Sequence, residues 1–82
     1  MRSHELYLTE VLRELFEMAR AAKADYAAAR TQRDDGESLF EAGRALALYE
    51  CFSLLVTQLD SYGVPRESVG LAVDLDVERE LL

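Results

Sequence analysis

Residues 40–65 read FEAGRALALYECFSLLVTQLDSYGVP, and the way this run folds decides the architecture. Ala, Leu and Glu recur through it, residues that lose little on entering a helix. It then stops hard: Gly63 can adopt the left-handed conformation that closes a helix, and Pro65 cannot continue one. At about 100° per residue, apolar side chains occupy nearly its whole circumference. Phe40, Ala47, Cys51, Leu54 and Leu55 fill one side, and Leu48, Tyr49, Phe52, Val56 and Leu59 the other. Only a narrow sector, Glu50, Ser53, Thr57, Asp60 and Ser61, stays polar. A helix apolar almost all round has to be surrounded, and one neighbouring helix covers only about a third of it. The simplest source of the remaining cover is a second copy of the chain.

The first neighbour is encoded upstream. Leu8, Val11, Leu12, Leu15, Met18, Ala19, Ala22, Tyr26 and Ala29 recur at spacings of three and four, one stripe on a helix predicted over about residues 4–31. Ser3 is placed to cap it. Glu10, Arg13, Glu17 and Arg20 form the opposite, solvated face, where ion pairs at these spacings are weak. TQRDDG at 31–36 supplies turn chemistry. The second helix is predicted over about 37–62, capped by Asp34 or Asp35, or by a capping box of Ser38 and Glu41. Two helices of roughly 26–28 residues, about 40 Å each, joined by a short loop are antiparallel neighbours. The predicted class is therefore all-α: an antiparallel two-helix hairpin over 1–63 that dimerises into a helical bundle, with an extended tail over 64–82.

That tail alternates Val69, Leu71, Val73, Leu75 and Val77 with small or acidic residues, a period of two that reads as an extended strand. The chain offers no second strand. The tail is thus expected to pair with its symmetry mate, to add to a partner's sheet, or to lie across the bundle without a ladder. Asp76 and Asp74 are poor strand formers, which favours the last. Asp76 is also placed to cap a final helical turn through Glu80, burying Leu81 and Leu82.

Composition narrows the chemistry. Eighty-two residues make one domain with a marginal core. Disulfides cannot reinforce it, because Cys51 is the lone cysteine, set in an apolar run that suits a buried thiol in a reducing compartment. His4 is the lone histidine, so no zinc pattern exists. Charges recur from the N-terminus onward, and the longest charge-free run, Cys51 to Leu59, is far too short to span a membrane. A cytoplasmic protein is expected. The net charge of −7 is uneven: residues 1–33 hold six basic and five acidic groups, residues 34–82 three and eleven. That balance argues against direct nucleic-acid binding.

Phe40-Glu-Ala-Gly43-Arg44-Ala-Leu-Ala47-Leu-Tyr49-Glu50 resembles a helix of small uncharacterised bacterial helical-hairpin proteins carrying Phe-x-x-Gly-Arg-x-x-Ala-x-Tyr-Glu. The resemblance covers about a third of the chain and implies a fold, with no assigned activity. In physical terms, Gly43 weakens a helix by about 1 kcal/mol relative to alanine and so wants a packing reason. In the hairpin, positions summing to about 67 lie opposite one another, so Gly43 is expected to face Ala24 with close helix contact near the loop. Glu50 is expected either to face water beside Ser53 and Thr57, to pair with Arg13 or Arg20, or to bind a ligand. Arg44 is expected to lay its stem over apolar surface and reach a carboxylate such as Glu41.

Catalysis finds little support. Cys51 lacks a positioned base, and Glu10, Glu14 and Glu17 face away from the apolar stripe without the inward Glu-x-x-His pairs of bundle metal sites. No enzyme activity, cofactor or metal is expected. The reading is a non-catalytic, homo-oligomeric interaction or regulatory protein, a homodimer or higher even oligomer, that engages another protein through its acidic face or tail. Its interface residues are expected among Phe40, Gly43, Arg44, Ala47, Tyr49, Glu50, Phe52, Leu55 and Leu59. Two alternatives stand: an acidic nucleic-acid mimic that inhibits a basic-grooved protein, and a bundle binding a small ligand around Glu50, Arg44 and Tyr49.

Overall fold

The computed structural model describes residues 3–31 and 35–82, with the side chains of Ser3 and Glu5 excepted. Two long helices, α1 (Ser3–Thr31) and α2 (Asp35–Ser61), are followed by a 3-10 turn (Arg66–Val69) and a short helix, α3 (Val77–Leu81). The described residues contain no strand. The helices run antiparallel: Phe16 meets Phe52 at a ring-centroid distance of 5.2 Å, and Asp25 meets Arg44 at 2.9 Å, close to the expected register. The molecule is correspondingly long, 47 × 21 × 16 Å.

The expected caps by the Ser3 side chain and by Asp34 lie outside the described residues. Asp35 is not a cap but the first residue of α2, and with Glu37 it places acid in the first turn, where the helix dipole favours it. Because the helix starts there, Ser38 and Glu41 lie inside it and form no capping box. Glu41 is instead buried at 9% exposure, its carboxylate accepting from Arg44 at 3.2 Å.

The end of α2 follows its sequence signals. Gly63 sits at φ +72°, its N–H donating to the Asp60 carbonyl while the Val64 N–H reaches back to Leu59. This is the two-bond glycine motif that satisfies the last carbonyls of a helix. The 3-10 turn closes the same way, with Gly70 at φ +82° and the Leu71 N–H donating to Arg66. Repeating this device bends the chain back along the hairpin.

The tail therefore does not lie as an extended strand. Val69 is buried, and Leu71, Leu75 and Val77 pack against the core, but Val73 is 70% exposed at a turn in which the Leu75 N–H donates to the Ala72 carbonyl. The period of two marks which side chains go inward, and turns rather than a ladder satisfy the backbone. Asp76 does cap α3, accepting from the Arg79 N–H at 3.2 Å. Leu81 is buried at 2% exposure, whereas Leu82 is 63% exposed.

The core joins α1, α2 and the tail through Leu12, Ala19, Phe52, Val56, Val69 and Leu81. Near the loop the buried side chains shrink to Ala22, Ala29 and Ala45. Gly43 and Ala24 do not face each other. Both are exposed, and a Cβ built on Gly43 would meet nothing within 4 Å. The register expectation holds, but α2 is rotated: the stripe through Glu41, Ala45, Phe52 and Val56 faces inward because burying Phe52 and Val56 gains more apolar area than burying Gly43 and Ala47.

A two-helix hairpin has a groove on each side. The tail fills one, with Gly70 against Thr9, and Lys23 donating to the carbonyls of Arg79 and Glu80 at the end of α3. A cation at the carbonyl end of a helix is the favourable polarity. The other groove, lined by Leu8, Leu12, Leu55, Gln58, Leu59, Tyr62 and Val64, stays open as a cavity of about 210 Å³.

Candidate interaction surface

The residues expected at an interface divide into three groups. Phe52 is fully buried within the chain, at 0% exposure, and Tyr49 and Leu59 are half-buried against the same core. Arg44 is half-buried and bridges the two helices, its Nη1 donating to Asp25 at 2.9 Å and to Glu41 at 3.2 Å. The Asp25 hydrogen bond, then the Glu41 one, raises the guanidinium above its ordinary value. Phe40, Gly43, Ala47, Glu50 and Leu55 are exposed.

Glu50 takes no ion pair among the described residues. Arg13 is held by Glu10 at 2.8 Å and Glu17 at 3.4 Å, and Arg20 lies over the Phe16 ring at 5.8 Å. Of the alternatives for Glu50, the exposed one beside Ser53 and Thr57 holds and the pairing with Arg13 or Arg20 does not, because the rotation of α2 turns Glu50 away from α1. Its polar neighbours are not a closed cavity.

Other exposed apolar side chains extend this surface. Leu39 at 75%, Phe40, Leu46 and Leu54 stand exposed along α2, Tyr62 at 81% just beyond its end, and Val11 and Met18 along α1. Singly exposed apolar residues are ordinary, but a continuous set along one helix marks a contact surface. Cys51 is exposed rather than buried as its sequence context suggests. His4 lies about 20 Å away along the hairpin, from the rise per residue and the register of the helices. Among the described residues no group of three histidine, cysteine or carboxylate side chains is placed to hold a metal ion. None of the described helices is long and apolar enough to cross a membrane.

The polar focus of the tail is Arg66, a residue the sequence reading passed over. Its guanidinium donates through Nε and Nη2 to both oxygens of Asp60, at 3.2 and 2.9 Å, and through Nη1 to the Leu75 carbonyl at 3.0 Å. One side chain thus ties the end of α2 to the turn before α3. The signal was present: a glycine-closed helix end brings the residue after Pro65 back over Asp60. The Arg66 hydrogen bond holds the Asp60 carboxyl below its ordinary value, and Asp60 in turn raises Arg66.

A carboxylate depressed by folding contributes stability above its unfolded pKa and loses it as pH falls through the folded value. The Asp60 contribution is therefore complete at neutral pH and disappears only below the ordinary aspartate range, about 3.9. A carboxyl-detected NMR titration should place the Asp60 midpoint below that value, and Arg66→Gln should return it there. An unshifted midpoint in the unaltered chain would show that the fork is not formed in solution.

No family model matches this chain, and no curated protein or solved structure matches it.

Proposed function

We propose that the chain is a non-catalytic protein that works by self-association, its two-helix hairpin assembling with at least one further copy into a helical bundle. The carrying observation is the apolar surface that the chain leaves uncovered on both long helices, where Leu8, Val11 and Met18 of α1 and Phe40, Leu46, Leu54 and Leu55 of α2 stand exposed. The elongated shape supports it: the Cα radius of gyration is 14.5 Å, where a compact domain of this length has about 12 Å. Small chains without disulfides or metals commonly complete their cores this way. In such an assembly the tail and the acid-rich second half, including Asp74, Asp76 and Glu78, stay outside and are the surface offered to another protein.

Light scattering at two concentrations tests this directly. The expected mass is at least twice the 9.3 kDa of one chain, falling on dilution. A mass that stays at 9.3 kDa throughout the micromolar range rejects the reading.

A further inference from the structure

Self-association leaves two faces in competition: the outer side of α2, and the open groove between α1 and α2 on the side away from the tail. We infer that a second copy of this chain docks on the open groove and closes a four-helix bundle there. This rests on the self-association proposed above and specifies its geometry.

The first observation is periodicity joined to exposure. The stripe that holds the hairpin together uses Leu12, Ala19, Phe52 and Val56. Beside it each helix carries a second row at spacings of three and four. In α1 it is Leu8, Val11, Leu15 and Met18, and in α2 it is Leu48, Cys51 and Leu55. A hairpin alone needs one such row per helix; two adjacent rows on each helix are what a bundle of four requires. Leu8, Val11 and Met18 are 37%, 40% and 52% exposed, and Leu55 is 39% exposed, so this second row is only partly covered by the chain itself.

Area gives the second observation. The chain exposes 5832 Å². A folded monomer of 9.3 kDa exposes about 5,000 Å². The surplus, about 800 Å², is what one partner contributes to a stable protein interface of standard size.

Charge separates the two faces. The side chains that line the groove, Leu8, Leu12, Leu55, Gln58, Leu59, Tyr62 and Val64, include no Asp, Glu, Lys or Arg. For two copies that each carry −7, a charge-free centre is the contact that avoids bringing carboxylates together. The outer face of α2 instead has exposed Glu50 at its middle, which a symmetric contact would strip of water without an opposite charge. The groove is also concave, about 210 Å³, with Tyr62 standing 81% exposed at its rim as a knob for the matching groove of the other copy.

Sedimentation equilibrium of the full chain and three variants decides it. Leu8→Glu and Leu55→Glu each place a carboxylate in the lining of the groove, and Leu46→Glu places one on the outer face, beside Glu50. All three sites are already partly exposed, so far-UV circular dichroism should report unchanged helix. The expected result is a dimer weakened roughly 100-fold or more by Leu8→Glu and by Leu55→Glu, and less than about threefold by Leu46→Glu. Cys51 should react with a thiol reagent faster in Leu55→Glu than in the unaltered chain at the same concentration. If Leu46→Glu dissociates the dimer and Leu55→Glu does not, or if both do so equally, the groove assignment is wrong while self-association stands. An unaltered chain that is monomeric overturns both.

Discussion

Phe52→Ala is expected to lower the stability of the chain by about 3–5 kcal/mol at 25 °C. Phe52 is 0% exposed and packs against Phe16 with the rings inclined at 49°. It belongs to the one buried cluster that includes side chains from α1, α2 and the tail, beside Leu12, Val56, Val69 and Leu81. Truncating such a ring costs about 3–5 kcal/mol, because the surrounding backbone closes only part of the void. A chain of 82 residues has a total stability of about 4–12 kcal/mol. The loss therefore takes most of the margin at the lower end of that range. Urea titration followed by circular dichroism at 222 nm, at one fixed protein concentration, measures it. Leu54→Ala is the matched control: Leu54 follows Phe52 by two positions on the same helix but is 59% exposed, and its loss should stay below about 1 kcal/mol. Equal losses at the two positions would mean that the core is not organised around Phe52.

That contrast also marks how far the sequence could be read. The hairpin was legible because α1 carries a clear apolar stripe, because α2 is rich in helix-forming residues, and because Gly63 and Pro65 leave α2 only one place to stop. The register followed from loop length alone. The rotation of α2 did not, since a helix apolar nearly all round gives no phase, and every face is a plausible inner face until bulk is compared. Gly43 and Ala47 drew attention as small residues that allow close approach, but Phe52 and Val56 have more apolar area to bury and took the inside. The tail differs in another way. Its period of two placed Val69, Leu71, Leu75 and Val77 inward but misplaced Val73, and the ladder-free expectation holds because a strand also needs a partner for its backbone. With none on offer, the amides turn inward on Arg66, Glu67, Ala72, Asp76 and Glu78 carbonyls. The exposed apolar surface was legible in kind, as residues one chain cannot cover, and illegible in position for the same reason that the phase was.

Leu81→Ala should detach the tail while leaving the hairpin folded, and the separation between those two effects is the point of making it. Leu81 is 2% exposed and closes the core from the end of α3. A five-residue helix has no stability of its own, because nucleating a turn in isolation is unfavourable. The helix exists here because Asp76 caps it, Lys23 meets its last carbonyls, and Leu81 buries its apolar side. Removing the leucine side chain costs about 2–5 kcal/mol if the tail stays docked. The cost cannot exceed the free energy that docks the tail, since undocking offers an escape by local unfolding. Hydrogen exchange reads the difference. The Glu80 and Leu82 amides, which donate to Asp76 and Glu78, should lose their protection together in Leu81→Ala. The amides in the middle of α2 around Phe52 should keep theirs. In Phe52→Ala, by contrast, both sets should fall in step. Should Leu81→Ala lower protection in α2 as much as in the tail, then α3 is part of one cooperative unit with the hairpin, and the groove it fills is as essential to folding as the contact between the two long helices.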